Sequence, residues 1–368
     1  MRVALIIDSL ALGGAQKHVR QVACWLARGG DHVTVWVLND IVEPLYAEPL
    51  RKAGVRIEVV GRTHVLNGTG LIWVAACWHR ERVDRVITVL FVSTVFGRVA
   101  AQLAGGITVI TALQARNLDY KWWQLTLLRL TAGLTDWTIS NSRAASAWAQ
   151  EHEGVRRSRC SFLPNAIDPV EASLPEPRWS EIGLPQLEGR RWVIGSLGRL
   201  HQQKGYDLLL EALARLPKPV LTELGVVVWG EGPERLVLEE RRRSLGLDAI
   251  VHFPGQHGDA VGWLRKLHVY VQPSRFEGMP NAVVEALTVG LPVIAFAVDG
   301  IAEICDEDLD LVPGEPDLSV QRFSERLANL LQCVRLRSGS RRAAPPLMGV
   351  VPLARLEAFL RSFQLCVV

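Results

Sequence analysis

The chain contains no uninterrupted run of about 20 uncharged residues, so it offers no segment expected to cross a bilayer as a helix. Its most apolar region, residues 86–115, is interrupted by Arg98 and by Gly105-Gly106, and it reads as strand, helix and strand. The opening MRVALIIDSL is too short, and polar too soon, for a secretory leader, and reads as a first buried strand. Six cysteines (Cys24, Cys77, Cys160, Cys305, Cys333 and Cys366) form no Cys-x-x-Cys pair, which points to reduced thiols in a cytoplasmic protein. Nine histidines add no zinc-ligand spacing to these cysteines, so neither a metal site nor a resident cofactor is expected. A net charge of +3 falls well short of the dense basic surface of a nucleic-acid binder. It fits an anionic headgroup or a phosphorylated substrate without demanding either.

What is present is a globular composition, 49% hydrophobic and 21% charged, over 368 residues, enough for two α/β domains with separate cores. The first half alternates apolar runs (RVALIID, DHVTVWVL, VRIEVV, DRVITVL, ITVITAL, DWTISNS) with helical patterns such as Ala15 to Arg28. Such alternation predicts a parallel sheet covered on both faces. The pattern lapses in PNAIDPVEASLPEPRWSEIGLPQLEGR and resumes at RWVIGSLGRL. We therefore expect a first doubly wound domain over 1–168, a linker over 169–190 and a second such domain over 191–335. An irregular basic segment with a closing helix would complete the chain over 336–368. Two such domains facing a cleft are the expected architecture.

Within the second domain, SRFEGMPNAVVEALTVGLPVIAF places two carboxylates, Glu277 and Glu285, eight positions apart around a strand-to-helix junction. VYVQPS before it reads as a strand, Gly278 as the turn and Pro280 as a first helical position. Ala282, Val283, Ala286 and Leu287 then repeat at helical spacing. One carboxylate should lie in the loop at a strand's carboxyl end and the other in the second helical turn, where open α/β sheets bind ligands. GRLHQQKGYD offers Arg199 and Lys204 on the loop after another strand, a fork and a point charge suited to a diphosphate. In the first domain, DSLALGGAQKHV places Gly13-Gly14 between strand and helix, allowing close backbone approach by an anion; it has neither a dinucleotide fingerprint nor a P-loop lysine.

The order GGAQ, PNAID, GRLHQQKG, GEGP, EGMPNAVVEA, GLPVIAF and GIAEI resembles the retaining glycosyltransferases of family 4, which have the GT-B fold. The resemblance is strongest from Arg191 to Ile304. It implies a donor of nucleotide-diphosphate-sugar type and a glycan or lipid-linked acceptor in cell-surface polysaccharide, lipopolysaccharide or glycolipid synthesis. It also implies roles for individual residues. Glu277, Arg199 and Lys204 would act at the reacting centre. Gly14, Glu285, Gly278, Met279, Pro280, Asn281, Gly230 and Gly232 would hold the donor, Glu285 on the ribose hydroxyls. Asp8, Gln16, Gln114 and Arg116 would lie on the acceptor side.

The chain departs from the family pattern at several places. TALQARN carries no histidine where many relatives have one, so Gln114 or the pair Arg116-Asn117 stands there instead. Ala166 replaces a usual glycine in PNAID, and Gln16 a usual glutamate. These changes keep open an inactive sugar-nucleotide-binding partner subunit, or a GT-B epimerase or phosphorylase. In ARNLDYKWWQLTLLRLTAGL, Trp122-Trp123 stand among Arg116, Lys121 and Arg129, which fits either a buried helix or one lying on the inner face of a membrane.

Overall fold

The structure, a computed structural model, describes residues 1–116, 118–163, 165, 177–257, 260–304 and 309–336. Asn117, Ala166, residues 169–176 of the expected linker and the expected closing helix lie outside these residues. The chain divides near residue 166 into two compact units.

The first unit runs β1 (Arg2–Ile7), α1 (Gly14–Arg28), β2 (His32–Val37), α2 (Pro44–Lys52), β3 (Arg56–Val59), α3 (Arg62–Leu66) and α4 (Thr69–Glu81). It continues with β4 (Arg85–Val89), α5 (Phe91–Ala104), β5 (Thr108–Leu113), α6 (Trp122–Thr131), β6 (Trp137–Ser140), α7 (Arg143–His152) and β7 (Cys160–Phe162). Among the described residues its strands form one seven-stranded sheet in the order β3-β2-β1-β4-β5-β6-β7, with every pairing parallel. Alternation along β1 explains why helices cover both faces. Val3, Leu5 and Ile7 pack with Val19, Val22 and Leu26 of α1. Ala4 and Ile6 point the other way, into Trp36, Trp78 and Ala100.

The second unit runs β8 (Trp192–Leu197), α8 (Tyr206–Ala214), α9 (Lys218–Glu223), β9 (Leu224–Trp229), α10 (Arg235–Ser244) and β10 (Val251–Gly255). Then come α11 (Ala260–Leu264), β11 (Val269–Gln272), α12 (Asn281–Thr288), β12 (Val293–Phe296), β13 (Leu309–Val312) and α13 (Val320–Leu336). Its sheet is again parallel, in the order β10-β9-β8-β11-β12-β13. Leu208, Leu209, Leu213 and Leu327 cover Val226, Val228, Val269 and Val271 in one continuous core.

In each sheet the strand order reverses once: between β1 and β4, and between β8 and β11. Loops leaving the carboxyl ends of those neighbouring strands diverge and open a crevice, the usual ligand position in open α/β sheets. This position, more than any single motif, decides where each unit can carry a site.

Several local expectations shift. The first helix starts at Gly14, because Gly13 caps it in an extended conformation. Pro280 is the N-cap of α12, one residue before the position expected. Residues 177–190 are folded against the second unit: Trp179–Ile182 and Pro185–Leu187 are short 3-10 turns. Trp179 is buried there, its ring stacked on Trp229 and 5.3 Å from that of Trp263.

Candidate functional site

In the second unit, Arg199 and Lys204 follow β8 while Glu277 follows β11, on the two loops that flank the reversal point. Both glutamates are buried, each 5% exposed, so neither is an ordinary solvated side chain. Burying a carboxylate is costly unless it is paired and hydrogen-bonded. Glu277 meets that condition through one of its oxygens. Its Oε1 accepts from Lys204 Nζ at 2.6 Å, Ser274 Oγ at 2.7 Å and Gln272 Nε2 at 3.0 Å. Its backbone N–H donates to Asp299 Oδ2 at 3.1 Å, and Asp299 holds a left-handed φ of 39° to reach it. Lys204 is thus a partner of Glu277, and Arg199, an exposed residue, sits five positions before it.

The two loops are tied together by Arg275. Its backbone N–H donates to Gln203 O at 2.8 Å and its Nη1 to Gln202 O at 3.0 Å. Its guanidinium forks onto Asp207 at 2.8 and 2.7 Å and also reaches Asp317. Burial raises the Asp207 carboxyl, but the hydrogen bonds and charge of Arg275 together outweigh it and hold the group below its usual range. Gln203 Nε2 returns a bond to Phe276 O at 3.1 Å. Lys204 and Glu277 therefore sit on one cross-braced platform.

GEGP serves this platform through its backbone. A Cβ at Gly230 would fall 1.9 Å from Gly198 O, and one at Gly232 would fall 2.2 Å from Leu200 O. Only glycines let this turn close onto the Arg199 loop, where Leu200 N–H bonds Glu231 O at 3.0 Å. Gly278, Met279 and Pro280 are buried in the turn before α12, Asn281 is its first residue, and Glu285 lies in its second turn.

In the first unit, Asp8 follows β1 and is drawn to the start of α5. Ser93 N–H donates to its Oδ1 at 2.6 Å and Val92 N–H to its Oδ2 at 3.4 Å. Burial raises the Asp8 carboxyl above its usual range, and these bonds oppose that only in part. Asp8 thus holds the helix start beside Leu90, which takes a positive φ of 76°. Gly14 is exposed at the α1 start, and Tyr46 Oη braces Gly13 through both its N–H (3.2 Å) and its carbonyl (3.1 Å). Gln16 folds back over this turn, its Oε1 2.4 Å from where a Gly13 Cβ would lie. Gln114, after β5, accepts from Asn141 Nδ2 at its carbonyl (3.0 Å), and Arg116 is partly buried two residues on. The structure brings Arg199, Lys204, Gly230, Gly232 and the 277–285 group to one edge of the second sheet. Asp8, Gly14 and Gln16 lie at the corresponding edge of the first.

Two family models match this chain. The one described as Glycosyl transferases group 1 spans residues 179–345, and the one described as Glycosyltransferase Family 4 spans residues 12–171. The chain belongs to these glycosyltransferases. Within the family it is similar to the lipopolysaccharide glucosyltransferase WaaG of Escherichia coli strain K12, 24% identical over 88% of each chain. The lipopolysaccharide core biosynthesis mannosyltransferase LpsB of Rhizobium meliloti strain 1021 is 31% identical over 140 residues, 36% of this chain and 40% of that protein. The chain spans about two fifths (37%, 41% and 40%) of the length of the first curated relatives it matches. Among solved structures, Anabaena HepE in complex with UDP-glucose superposes with a TM-score of 0.78 at 21% identity, over 99% of this chain and 100% of that one. That likeness fixes the glycosyltransferase fold as GT-B, with two parallel sheets and interleaved helices.

The sequence reading missed Gln272, Ser274, Arg275 and Asp299. Gln272 had a signal: it is a polar residue inside an otherwise apolar strand, where an unpartnered amide would be costly. Arg275 and Asp299 had none, because their partners stand 68 and 22 residues away in sequence.

Proposed function

We propose that this chain is a retaining glycosyltransferase that moves a sugar from a nucleoside-diphosphate sugar to a glycan or lipid-linked acceptor, in polysaccharide or lipopolysaccharide synthesis. The observation that carries the reading is the pair of half-buried Lys204 and buried Glu277, 2.6 Å apart, with exposed Arg199 on the same loop as Lys204 at the reversal point of the second sheet. Membership of the family and relatives named for glycosyl transfer to lipopolysaccharide support it.

In this reading Arg199 and Lys204 meet the negative charge that develops on the departing diphosphate, preset and without reorganisation. Glu277 lies beside the donor sugar and Glu285 accepts from the ribose hydroxyls. As the anomeric C–O bond to phosphate breaks, the acceptor oxygen bonds the same face of that carbon. The leaving phosphate oxygen takes the acceptor's proton, so no protein base is needed. The cations do the charge-neutralising work, and no metal is invoked.

On the acceptor side we read a peripheral membrane protein of the cytoplasmic face. The support is α6, where Trp122 is 78% and Leu130 75% exposed, with Trp123 and Leu127 also open to solvent. Lys121 and Arg129 border that surface, the composition that suits headgroup level.

The test is a calorimetric screen of UDP, GDP, ADP and their glucose or mannose derivatives, followed by two variants. Glu285→Ala should weaken nucleotide binding by roughly 10- to 100-fold, the range for a hydrogen bond to a charged group. Lys204→Ala should cut transfer by roughly 100-fold or more. Wild-type turnover from either variant contradicts the assignment.

A further inference from the structure

Glu277 does not offer its two oxygens equally. All three side-chain donors (Lys204, Gln272 and Ser274) converge on Oε1, and among the described residues Oε2 receives none. The carboxylate is therefore pinned by one end, with the other end open.

The pin is itself anchored. Gln272, fully buried at the end of β11, accepts from Tyr270 Oη at its Oε1, 2.8 Å away. The backbone N–H of Leu197, at the end of β8, donates to that same Tyr270 oxygen at 3.2 Å. With its oxygen already accepting, the Tyr270 hydroxyl hydrogen goes to the nearer acceptor, Gln272, in preference to Leu197 O at 3.3 Å. The carboxylate end fixes the direction of the whole chain. Gln272 must present its Nε2 side to Ser274 Oγ (2.7 Å) and to Glu277 (3.0 Å), because the flipped amide would set its own oxygen against the Glu277 carboxylate, which can only accept. Tyr270 and Ser274 are likewise fully buried, so no water competes for these bonds. The two strands that create the reversal point are joined to the carboxylate by a one-way sequence of donors.

We propose that Gln272 is a positioning residue for Glu277, reserving Oε1 for the protein and Oε2 for a hydroxyl of the donor sugar. This rests on the donor reading given above. It assigns to a strand residue, outside the glutamate loop, the orientation of the carboxylate that meets the sugar.

The experiment uses the full chain with UDP-glucose, GDP-mannose and ADP-glucose as probes, and the free nucleotides for binding. Gln272→Met keeps the volume and removes the amide. The expected result is a kcat lower by roughly 10- to 100-fold, the range for a lost bond to a charged group, with nucleotide Kd unchanged. An unchanged kcat overturns the proposal. Gln272→Glu sets a second carboxylate 3.0 Å from Glu277, where one shared proton can replace the lost N–H. At low pH that proton keeps the contact; as pH rises it leaves and the two charges repel. The variant should therefore lose both kcat and thermal midpoint with rising pH where the wild type does not. Adding Glu277→Gln should abolish the new pH dependence of the midpoint. A pH profile like that of wild type, or one that survives the second substitution, also overturns the proposal. A wild-type chain that binds none of the probes instead overturns the donor reading, and the midpoint arm still decides whether Gln272 holds Glu277.

Discussion

At the residue scale, burial is what separates groups with a chemical consequence from groups that merely look reactive. His18 on α1 is an example outside the glutamate platform. It is buried, its Nδ1 has no hydrogen-bond partner among the described residues, and burial pushes its imidazole down to about 4. In the unfolded chain the same group titrates near 6.5, so as pH falls the unfolded state takes up the proton first. Stability from this residue is complete above about pH 6.5 and declines as pH drops toward 4, by on the order of 3 kcal/mol in total. His18→Met should flatten that part of the curve. Urea midpoints measured from pH 7 to pH 4 check it, and parallel curves for the two proteins refute it. The sequence shows a histidine two residues beyond GGAQ; it cannot show that the ring turns inward.

Among the elements, the working unit is a pair of loops locked backbone to backbone. GEGP reads as donor-binding from its company of motifs, and the structure supplies the physical reason for its glycines: a carbonyl sits where any Cβ would be. Gly230 has in addition a φ of 151°. Gly230→Ala must therefore push Gly198 away or flip the turn. We expect a loss of about 3 kcal/mol or more, since the clash is with backbone and not with a flexible side-chain end. Chemical denaturation gives the number, and a change below about 1 kcal/mol would show that the turn relaxes freely. Most strands and helices were legible here because buried parallel strands are continuous apolar runs and their covering helices are striped. The helix boundary at Pro280 differs by one residue, which is the resolution that end signals carry. The segment 177–190 reads as linker because proline and charge dominate it, although the contacts of Trp179 hold it against the second unit.

For the whole molecule, the exposed aromatic face of α6 is the feature that looks outward. Underneath, the helix is held by buried Arg98, which donates to Leu128 O and Thr131 Oγ1, both at 3.2 Å. Its upper surface keeps Trp122 and Leu130 in water. Sedimentation with anionic phosphatidylglycerol vesicles should capture the chain at low salt, and Trp122→Ser with Leu130→Ser should weaken capture by roughly 10-fold or more, from the apolar area withdrawn. Absence of binding at low salt would remove the membrane from the acceptor reading. The sequence left buried and interfacial readings of this helix open, because its apolar residues occupy more than one face. Only packing shows which of them meet the core.

The sequence by itself determined the class of fold, the family and the addresses of the charged groups, since each is written in local spacing: period-two and helical patterns, glycine at turns, carboxylates a fixed distance apart. Tertiary structure alone decided which charges pair. Lys204 joins Glu277 across 73 residues, and Asp299 and Arg275 complete the platform across gaps of 22 and 68. Those contacts depend on the reversal of strand order that brings β8 beside β11, a relation between distant segments that no local pattern encodes.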